Sequence, residues 1–276
     1  MASAARVNLV RALGAWALEG VAYVGGMWLL LLATLRWTAM ELFVPRIKFD
    51  GAALAGQMVR VGVKSLGIVT LVQVFIGVIL ALQMTPTLKE FNQEQTISMI
   101  IGVAGFRMLG PIITAVVLSG FAGASIAAEL GTMVVAEEIE AMEAMALNPV
   151  RYLVVPRVLA SLVMTVLLAV IADLMIGLGG FITALTALGP NVSGVYWKRM
   201  QDQLMLKDFY SGLIMAAVFG LLISLIACYE GLKVKGGAEG VGKATTMTVV
   251  YSIVAIILSA CVFTIVFYVF DFYSRS

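Results

Sequence analysis

Long apolar segments with almost no charge constrain this chain more than any other feature of its sequence. Hydrophobic residues make up 62% of the 276 residues and charged residues only 12%, whereas roughly a quarter to a third of a soluble protein's surface is charged. Crossing the hydrocarbon core of a bilayer takes about 20 apolar residues in a helix. Five segments meet that requirement: residues 66–84, 97–128, 152–185, 209–228 and 249–270. The sequence therefore predicts an all-α integral membrane protein with five spans.

A sixth apolar segment, residues 12–35, differs from these five. It contains Glu19, and Gly20, Gly25 and Gly26 weaken it as a straight helix. Tryptophan side chains favour the membrane surface; Trp16 and Trp28 lie in this segment, and Trp37 follows its end by two residues. We expect residues 1–60 to form an N-terminal region with a helix lying in the membrane surface, a sixth span being the alternative, and residues 61–276 to form the five-span domain.

The distribution of Lys and Arg predicts the orientation of the spans. With five spans, twelve of these residues fall on one side of the membrane and five on the other, while Arg107 lies within a span. Cytoplasmic loops of membrane proteins carry the excess of Lys and Arg. The N-terminus is therefore expected in the cytoplasm and the C-terminus outside.

The residue types that are missing or scarce exclude several classes of function. The chain has no histidine, which excludes a Ser-His-Asp triad, a His-liganded metal and a His proton relay. Cys228 and Cys261 both fall inside apolar segments and are expected to pack as small hydrophobic residues. A net charge of +2 without a long basic run gives no indication of a nucleic-acid partner. We predict neither catalytic nor metal-binding residues.

The second predicted span is longer than the bilayer requires and contains a charge. Residues 97–128 would extend about 48 Å as one helix. Pro111 predicts a bend, because it has no N–H to offer the carbonyl of Arg107. Charged side chains within a membrane usually face the bundle interior or a water-filled cavity. Asp173, in the third span, is either the partner of Arg107 or a separate polar contact.

Small residues recur every four positions in the continuation of that span. They are Ser119, Gly123, Ala127 and Gly131. Such a stripe lets another helix approach closely in lipid. The other helix belongs either to the same chain, as ordinary internal packing, or to a second copy.

A short acidic helix is predicted directly after this stripe, over about residues 134–146. Its apolar residues fall on one face: Val135, Ile139, Met142 and Met145. Its acidic residues project mainly from the rest of the surface: Glu137, Glu138, Glu140 and Glu143. The helix is either a solvated charged surface or a docking element for a cytoplasmic partner, and it ends before Pro149.

The glycine-rich segment 237–244 has the spacing of a phosphate-binding P-loop, but Ala244 replaces the hydroxyl residue that should reach magnesium. It also lies between two spans instead of between a strand and a helix. We expect a flexible loop there, with Thr245 and Thr246 as helix caps.

Two longer stretches of sequence resemble a known family. They are LGPIITAVVLSGFAGASIAAELGTMVVAEEIEAMEAMALNPVRYLVVPRVLA and GGAEGVGKATTMTVV. Together they are similar to the MlaE/YrbE family of lipid ABC transporter permeases, and the resemblance extends from about residue 66 to residue 270. It implies a five-span permease with an N-terminal interfacial helix in the bacterial inner membrane.

The resemblance also implies partners and a task. Two copies of the permease would form a homodimer on two ABC ATPase subunits, beneath a ring of substrate-binding MCE-domain proteins. A small STAS-domain protein is often bound to the ATPase. The assembly would move phospholipid between the inner membrane and the outer envelope. ATP and magnesium would be bound by the ATPase, with no cofactor on this chain.

The resemblance assigns two sets of residues. The acidic helix becomes the helix that couples to the ATPase, through Glu137, Glu138, Glu140 and Glu143. The lipid cavity would lie between the two copies and include Leu80, Phe91, Arg107, Met108 and Leu109. Met108 stands where the family commonly has an acid, and Phe121 where it commonly has an arginine, which implies a less polar cavity.

Two other functions remain open at this point. The first is an ion-coupled secondary carrier of lipid or a small molecule that uses Arg107 and Asp173, although no inverted repeat is evident. The second is a membrane scaffold for MCE proteins without a transport path.

Overall fold

The computed structural model describes residues 2–43 and 51–275, without the side chains of residues 2–13, 15–17, 42, 43, 188, 190, 191 and 270–275. Regular structure in these two stretches is helical throughout, which confirms the all-α prediction. Within them six segments are long and apolar enough to cross a membrane: Leu18–Glu41, Gly51–Glu90, Glu94–Val135, Val150–Ala187, Leu206–Leu232 and Gly237–Val269. The last five correspond to the five spans predicted from the sequence.

The N-terminal helix α1 runs from Ala2 to Phe43 without interruption. The expected weakening at its glycines is therefore not seen. Its Tyr23 ring packs edge-on against Tyr229, with centroids 5.0 Å apart. Eighteen residues later, Glu41 accepts a hydrogen bond from Arg151 at 2.9 Å. The position of α1 in the membrane surface stays a prediction, and the region predicted over residues 1–60 lies partly outside the described residues.

Helices α2 (Gly51–Val61) and α3 (Leu66–Glu90) lead into the bundle, where α3 crosses α8 (Val155–Thr183) at very short range. A Cβ atom added to Gly77 would lie 2.1 Å from the backbone oxygen of Ile176. Both helices use glycine at this crossing, so their backbones touch directly, as small residues permit in lipid.

The second predicted span is divided into three helices by two wider π-helical turns. Its helices are α4 (Ile97–Ala104), α5 (Gly110–Leu118) and α6 (Ala124–Val135). The turns are Gly105–Leu109 and Ser119–Gly123.

The first of these turns ends two residues before Pro111, the residue at which the sequence predicted a bend. The N–H of Gly110 donates to the carbonyl of Gly105, five residues back instead of four. Extra residues of this kind are typical of functional positions in helices. The turn carries Arg107.

After α6, the helix α7 (Glu138–Ala144) lies at one end of the bundle, which we call the acidic end. The remaining helices are α9 (Pro190–Ser193), α10 (Tyr196–Gln203), α11 (Leu206–Leu232) and α12 (Gly237–Arg275).

The glycine-rich segment predicted as a loop is the first part of α12. The loop is shorter than expected, and Gly236 and Gly237 supply its positive φ angles of 87° and 72°. Thr245 and Thr246 lie inside the helix, where both hydroxyls donate to the carbonyl of Gly242, so they are not caps.

The apolar core lies between α5, α6, α8, α11 and α12. Leu118, Ile126 and Phe219 are among its fully buried side chains. The outward surfaces of α3 and α12 stay apolar and exposed, with Phe75, Ile79 and Val262 as examples. This arrangement is expected of helices that face lipid.

Candidate functional site

The charged residue of the second span, Arg107, pairs with a residue that the sequence argument did not single out. Its guanidinium lies 3.7 Å from the carboxylate of Asp208, and the two side chains are 32% and 8% exposed. Asp208 lies in the first turn of α11, where its other oxygen accepts the N–H of Met205. A signal was present in the sequence, because an acidic residue directly before an apolar span is typical of a helix N-terminus.

Asp173 is not the partner of Arg107. It is 1% exposed, and neither carboxylate oxygen has a hydrogen-bond partner in the described part of the chain. Its Oδ1 lies against Gly110, where an added Cβ would approach it to 2.0 Å. Gln73 reaches the same place from α3, donating to the carbonyl of Gly110 at 3.1 Å and to the Thr114 hydroxyl at 2.9 Å. Buried polar groups of three helices therefore surround the end of the Arg107 turn.

The residues predicted for a lipid cavity lie in three places. Arg107, Met108 and Leu109 are consecutive on the turn, and the Thr264 hydroxyl of α12 contacts the Met108 sulfur at 4.0 Å. Leu80 packs on a cluster formed with α4 and α10. Phe91, just past the end of α3, is 69% exposed. A single chain thus brings together only the three residues of the turn.

The stripe of small residues is covered by helices of the same chain. Ser119, Gly123, Ala127 and Gly131 are all buried. A Cβ on Gly123 would meet Ile223 of α11 at 3.2 Å and Thr248 of α12 at 3.5 Å. A Cβ on Gly131 would meet Val234 at 2.8 Å. The stripe lets α11 and α12 approach the second span closely.

The acidic helix α7 is fully accessible on its charged side. Glu137, directly before the helix, and the three glutamates within it, Glu138, Glu140 and Glu143, are all exposed. Glu137 has a φ of 58°, a left-handed conformation that turns the chain sharply between α6 and α7. Met145, just after the helix, is 65% exposed and adds an apolar edge. Carboxylates and apolar groups are therefore presented side by side at the acidic end.

A second set of ion pairs joins α6 to α2 and α8, and it was not predicted from the sequence. Glu129 of α6 forms ion pairs with Arg60 of α2 and with Arg157 of α8, the latter at 3.2 Å. Arg157 is only 4% exposed and also donates to the carbonyl of Leu153 at 2.7 Å. A buried charge requires such partners. Glu129 is the only acidic residue between positions 97 and 135, and that isolation was a usable signal.

In the described ranges, no three His, Cys, Asp or Glu side chains gather as they would around a metal ion. Instead, Arg107 lies on a π-helical turn, and α6 of the same span packs closely against α11 and α12. The exposed acidic helix α7 then follows at the acidic end. The π-helical turn permits a change in the shape of the span, and the exposed helix permits recognition of a partner.

Comparison with known proteins agrees with this arrangement. The sequence model described as Permease MlaE matches residues 54–266. A probable ABC transporter permease protein of Rickettsia typhi is 38% identical over 203 residues, which cover 74% of this chain and 78% of that protein. A probable ABC transporter permease of Synechocystis is 34% identical, over 74% of this chain and 77% of its own length.

A relative with a more specific name covers more of the chain. The intermembrane phospholipid transport system permease protein MlaE of Haemophilus influenzae is 31% identical over 248 residues, 89% of this chain and 92% of that protein. Residues 54–266, matched by the family model, include the first four predicted spans, most of the fifth, the Arg107 turn and the acidic helix. This multi-pass membrane protein belongs to the MlaE family of ABC transporter permeases, which are transport components and not enzymes.

Proposed function

We propose that this chain is the membrane subunit of an ATP-driven transporter that moves phospholipid between the inner membrane and the outer envelope. Two copies would form a homodimer in the bacterial inner membrane, with the N-terminus and the acidic end in the cytoplasm and the C-terminus in the periplasm. The name of the Haemophilus relative supports phospholipid as the substrate. One structural observation carries the proposal: the exposed helix α7 is joined by only two residues to the span that contains the Arg107 turn.

Helix α7 is the part of the chain suited to receive force from an ATPase. Its carboxylates and apolar edge can enter a cleft on a soluble partner. Because the turn at Glu137 is short, a displacement of α7 must move α6 with it. The ion pairs of Glu129 would pass that displacement to α2 and α8.

The two π-helical turns are where the span can change shape. Such turns lack the regular hydrogen-bond ladder, so a helix can shift register there at lower cost than elsewhere. Motion of α6 would therefore change the geometry of the turn Gly105–Leu109, which carries Arg107. The guanidinium is accessible enough to contact a lipid phosphate, while Met108 and Leu109 offer apolar contact to acyl chains.

The remaining partners belong to the same proposal. An ABC ATPase would hold the ATP and magnesium at the acidic end, with a STAS-domain protein on it. A ring of MCE-domain proteins would receive or deliver lipid at the opposite end. Leu80 and Phe91 would line the lipid path between two copies, nearer that end than Arg107.

The proposal is tested by reconstituting the chain with its ATPase in vesicles that contain labelled phospholipid. Transfer to acceptor vesicles coated with the MCE protein should require ATP and should not occur with an ion gradient alone. Transfer driven by an ion gradient in the absence of the ATPase would contradict the proposal and support the secondary carrier.

Replacing Asp173 with Asn separates the same two mechanisms by a different route. The carboxylate of Asp173 has no hydrogen-bond partner among the described residues, so its charge supports no contact there. Asn has nearly the same shape, and Asp173→Asn should keep ATP-driven transfer within about twofold, well under the tenfold change that 1.4 kcal/mol would produce. In an ion-coupled carrier that uses this carboxylate, the substitution would instead uncouple transport from the ion gradient. Loss of lipid transfer by a variant that still binds the ATPase normally would contradict our proposal.

Replacing Arg107 with Gln tests the lipid contact. A hydrogen bond to a charged group contributes about 1.5–3 kcal/mol, so Arg107→Gln should lower lipid transfer about tenfold or more while ATPase binding is kept. Arg199→Gln, an exposed arginine on α10, is the matched control and should change nothing. Equal transfer by both variants would favour the scaffold.

A further inference from the structure

A cavity of about 500 Å³ lies near the acidic end, away from the Arg107 turn. It is formed by the end of α2 and the turn that follows it on one side, and by α6 and the preceding π-helical turn on the other. Its polar lining is Arg60, Lys64, Ser125 and Glu129, and its apolar lining is Val61, Phe121, Ala122 and Ile126. Its size is within the range of about 300–1,000 Å³ that is usual for small-ligand sites.

The polar side of the cavity carries excess positive charge. Glu129 is the one carboxylate in its lining, and Arg60 and Arg157 both pair with it. Lys64 makes no ion pair or side-chain hydrogen bond with any described residue. Its ammonium is therefore available to an anion at the mouth of the cavity.

The charged and apolar residues that line the cavity are also arranged in the same order as the headgroup and acyl-chain regions of a bilayer leaflet. Lys64 is followed by no charged residue until Lys89, so it marks the polar boundary of the first span. Phe121 precedes Glu129 by eight residues, about 12 Å along the span. The charged groups thus lie near the membrane surface, and the apolar wall extends from them toward the membrane interior.

We propose that this cavity binds one anionic phospholipid from the leaflet at the acidic end. The phosphate would contact Lys64 and Arg60, and the upper part of an acyl chain would lie against Phe121 and Ile126. Phe121 is fourteen residues from Arg107, about 21 Å along the span, so this lipid is distinct from one at the Arg107 turn. Basic residues at the membrane surface attract anionic lipids in this way. Binding here does not depend on the chain being a phospholipid transporter.

The binding is measured by native mass spectrometry of the purified chain titrated with phosphatidylglycerol or phosphatidylcholine of the same acyl chains. Phosphatidylglycerol should bind more tightly, and Lys64→Gln should weaken it about fivefold, the effect of one basic residue near the membrane surface. Lys89→Gln is the matched control, because Lys89 is exposed at the far end of α3, whereas Lys64 lies just before the start of that helix. It should bind as the unaltered chain does.

A second variant and a competitor complete the test. Ser125→Trp would fill the cavity from an exposed position and should remove the preference for phosphatidylglycerol. Inorganic phosphate should not compete; if it displaces the lipid and depends on Lys64, the site takes free phosphate or a phosphorylated solute and the lipid assignment is wrong. Equal affinity for both lipids, or equal effects of Lys64→Gln and Lys89→Gln, would also overturn the proposal. Should Ser125→Trp fail to fold, the lysine pair decides the matter alone.

Discussion

Reversing the charge of Glu140 and Glu143 to Lys should abolish association of this chain with its ATPase. Both side chains are exposed on α7 and make no ion pair with any described residue, so the fold should be unaffected. The double substitution changes the charge of the helix from acidic to basic. A complementary cleft on the ATPase would then face like charges, and juxtaposed like charges at an interface cost several kcal/mol. The measurement is co-purification of the ATPase with the tagged chain.

The control for this charge reversal carries the same change in net charge at the opposite end of the bundle. Glu90→Lys combined with Asp202→Lys alters two exposed acidic residues. This variant should retain the ATPase fully. An intact complex with the Glu140 and Glu143 variant would show that α7 is a solvated surface and that coupling takes place elsewhere.

Replacing Gly77 with Ala should strongly destabilise the bundle. The new Cβ would lie 2.1 Å from the backbone oxygen of Ile176, and backbone atoms cannot turn aside as a side chain can. Helices α3 and α8 would have to separate along their closest contact. Overpacking of this kind costs typically about 1–3 kcal/mol and occasionally more. Thermal unfolding in detergent, followed by circular dichroism, should show a clear loss of stability.

Gly67→Ala is the matched control on the same helix. No atom lies within 4 Å of an added Cβ at Gly67, and alanine is the better helix former by up to about 1 kcal/mol. Its stability should therefore be unchanged or slightly higher. Equal unfolding temperatures for the two variants would mean that α3 and α8 can separate at no cost and that their close contact does not stabilise the bundle.

The sequence predicted the helical spans well because crossing a membrane is decided by local composition. A segment such as residues 209–228 is apolar along its whole length, and its transfer into lipid does not depend on its neighbours. The irregularity near Pro111 was predictable for a similar reason, since a missing N–H is a property of one residue. The acidic helix could be predicted because its own apolar side chains recur at helical spacing, every three or four residues.

The wrong predictions concern features that depend on contacts between segments or on small differences in helix stability. Thr245 and Thr246 were expected to cap a helix, yet α12 begins eight residues before Thr245. Val241 of this segment lies beside Gly131 of α6, a tertiary contact that the local sequence does not reveal. The loop retained only the glycines whose positive φ angles the turn requires. The glycines of α1 likewise did not interrupt that helix.

The sequence by itself determined the five long apolar segments, the irregularity near Pro111 and the family to which the chain belongs. Only the tertiary structure decided that Arg107 pairs with Asp208 while Asp173 lies apart, that Glu129 joins α2, α6 and α8, and that the stripe of small residues faces α11 and α12. Partition into lipid depends on the side chains of one helix alone. Pairing depends on how each helix is rotated about its axis, and that rotation is set by the glycine contacts between helices.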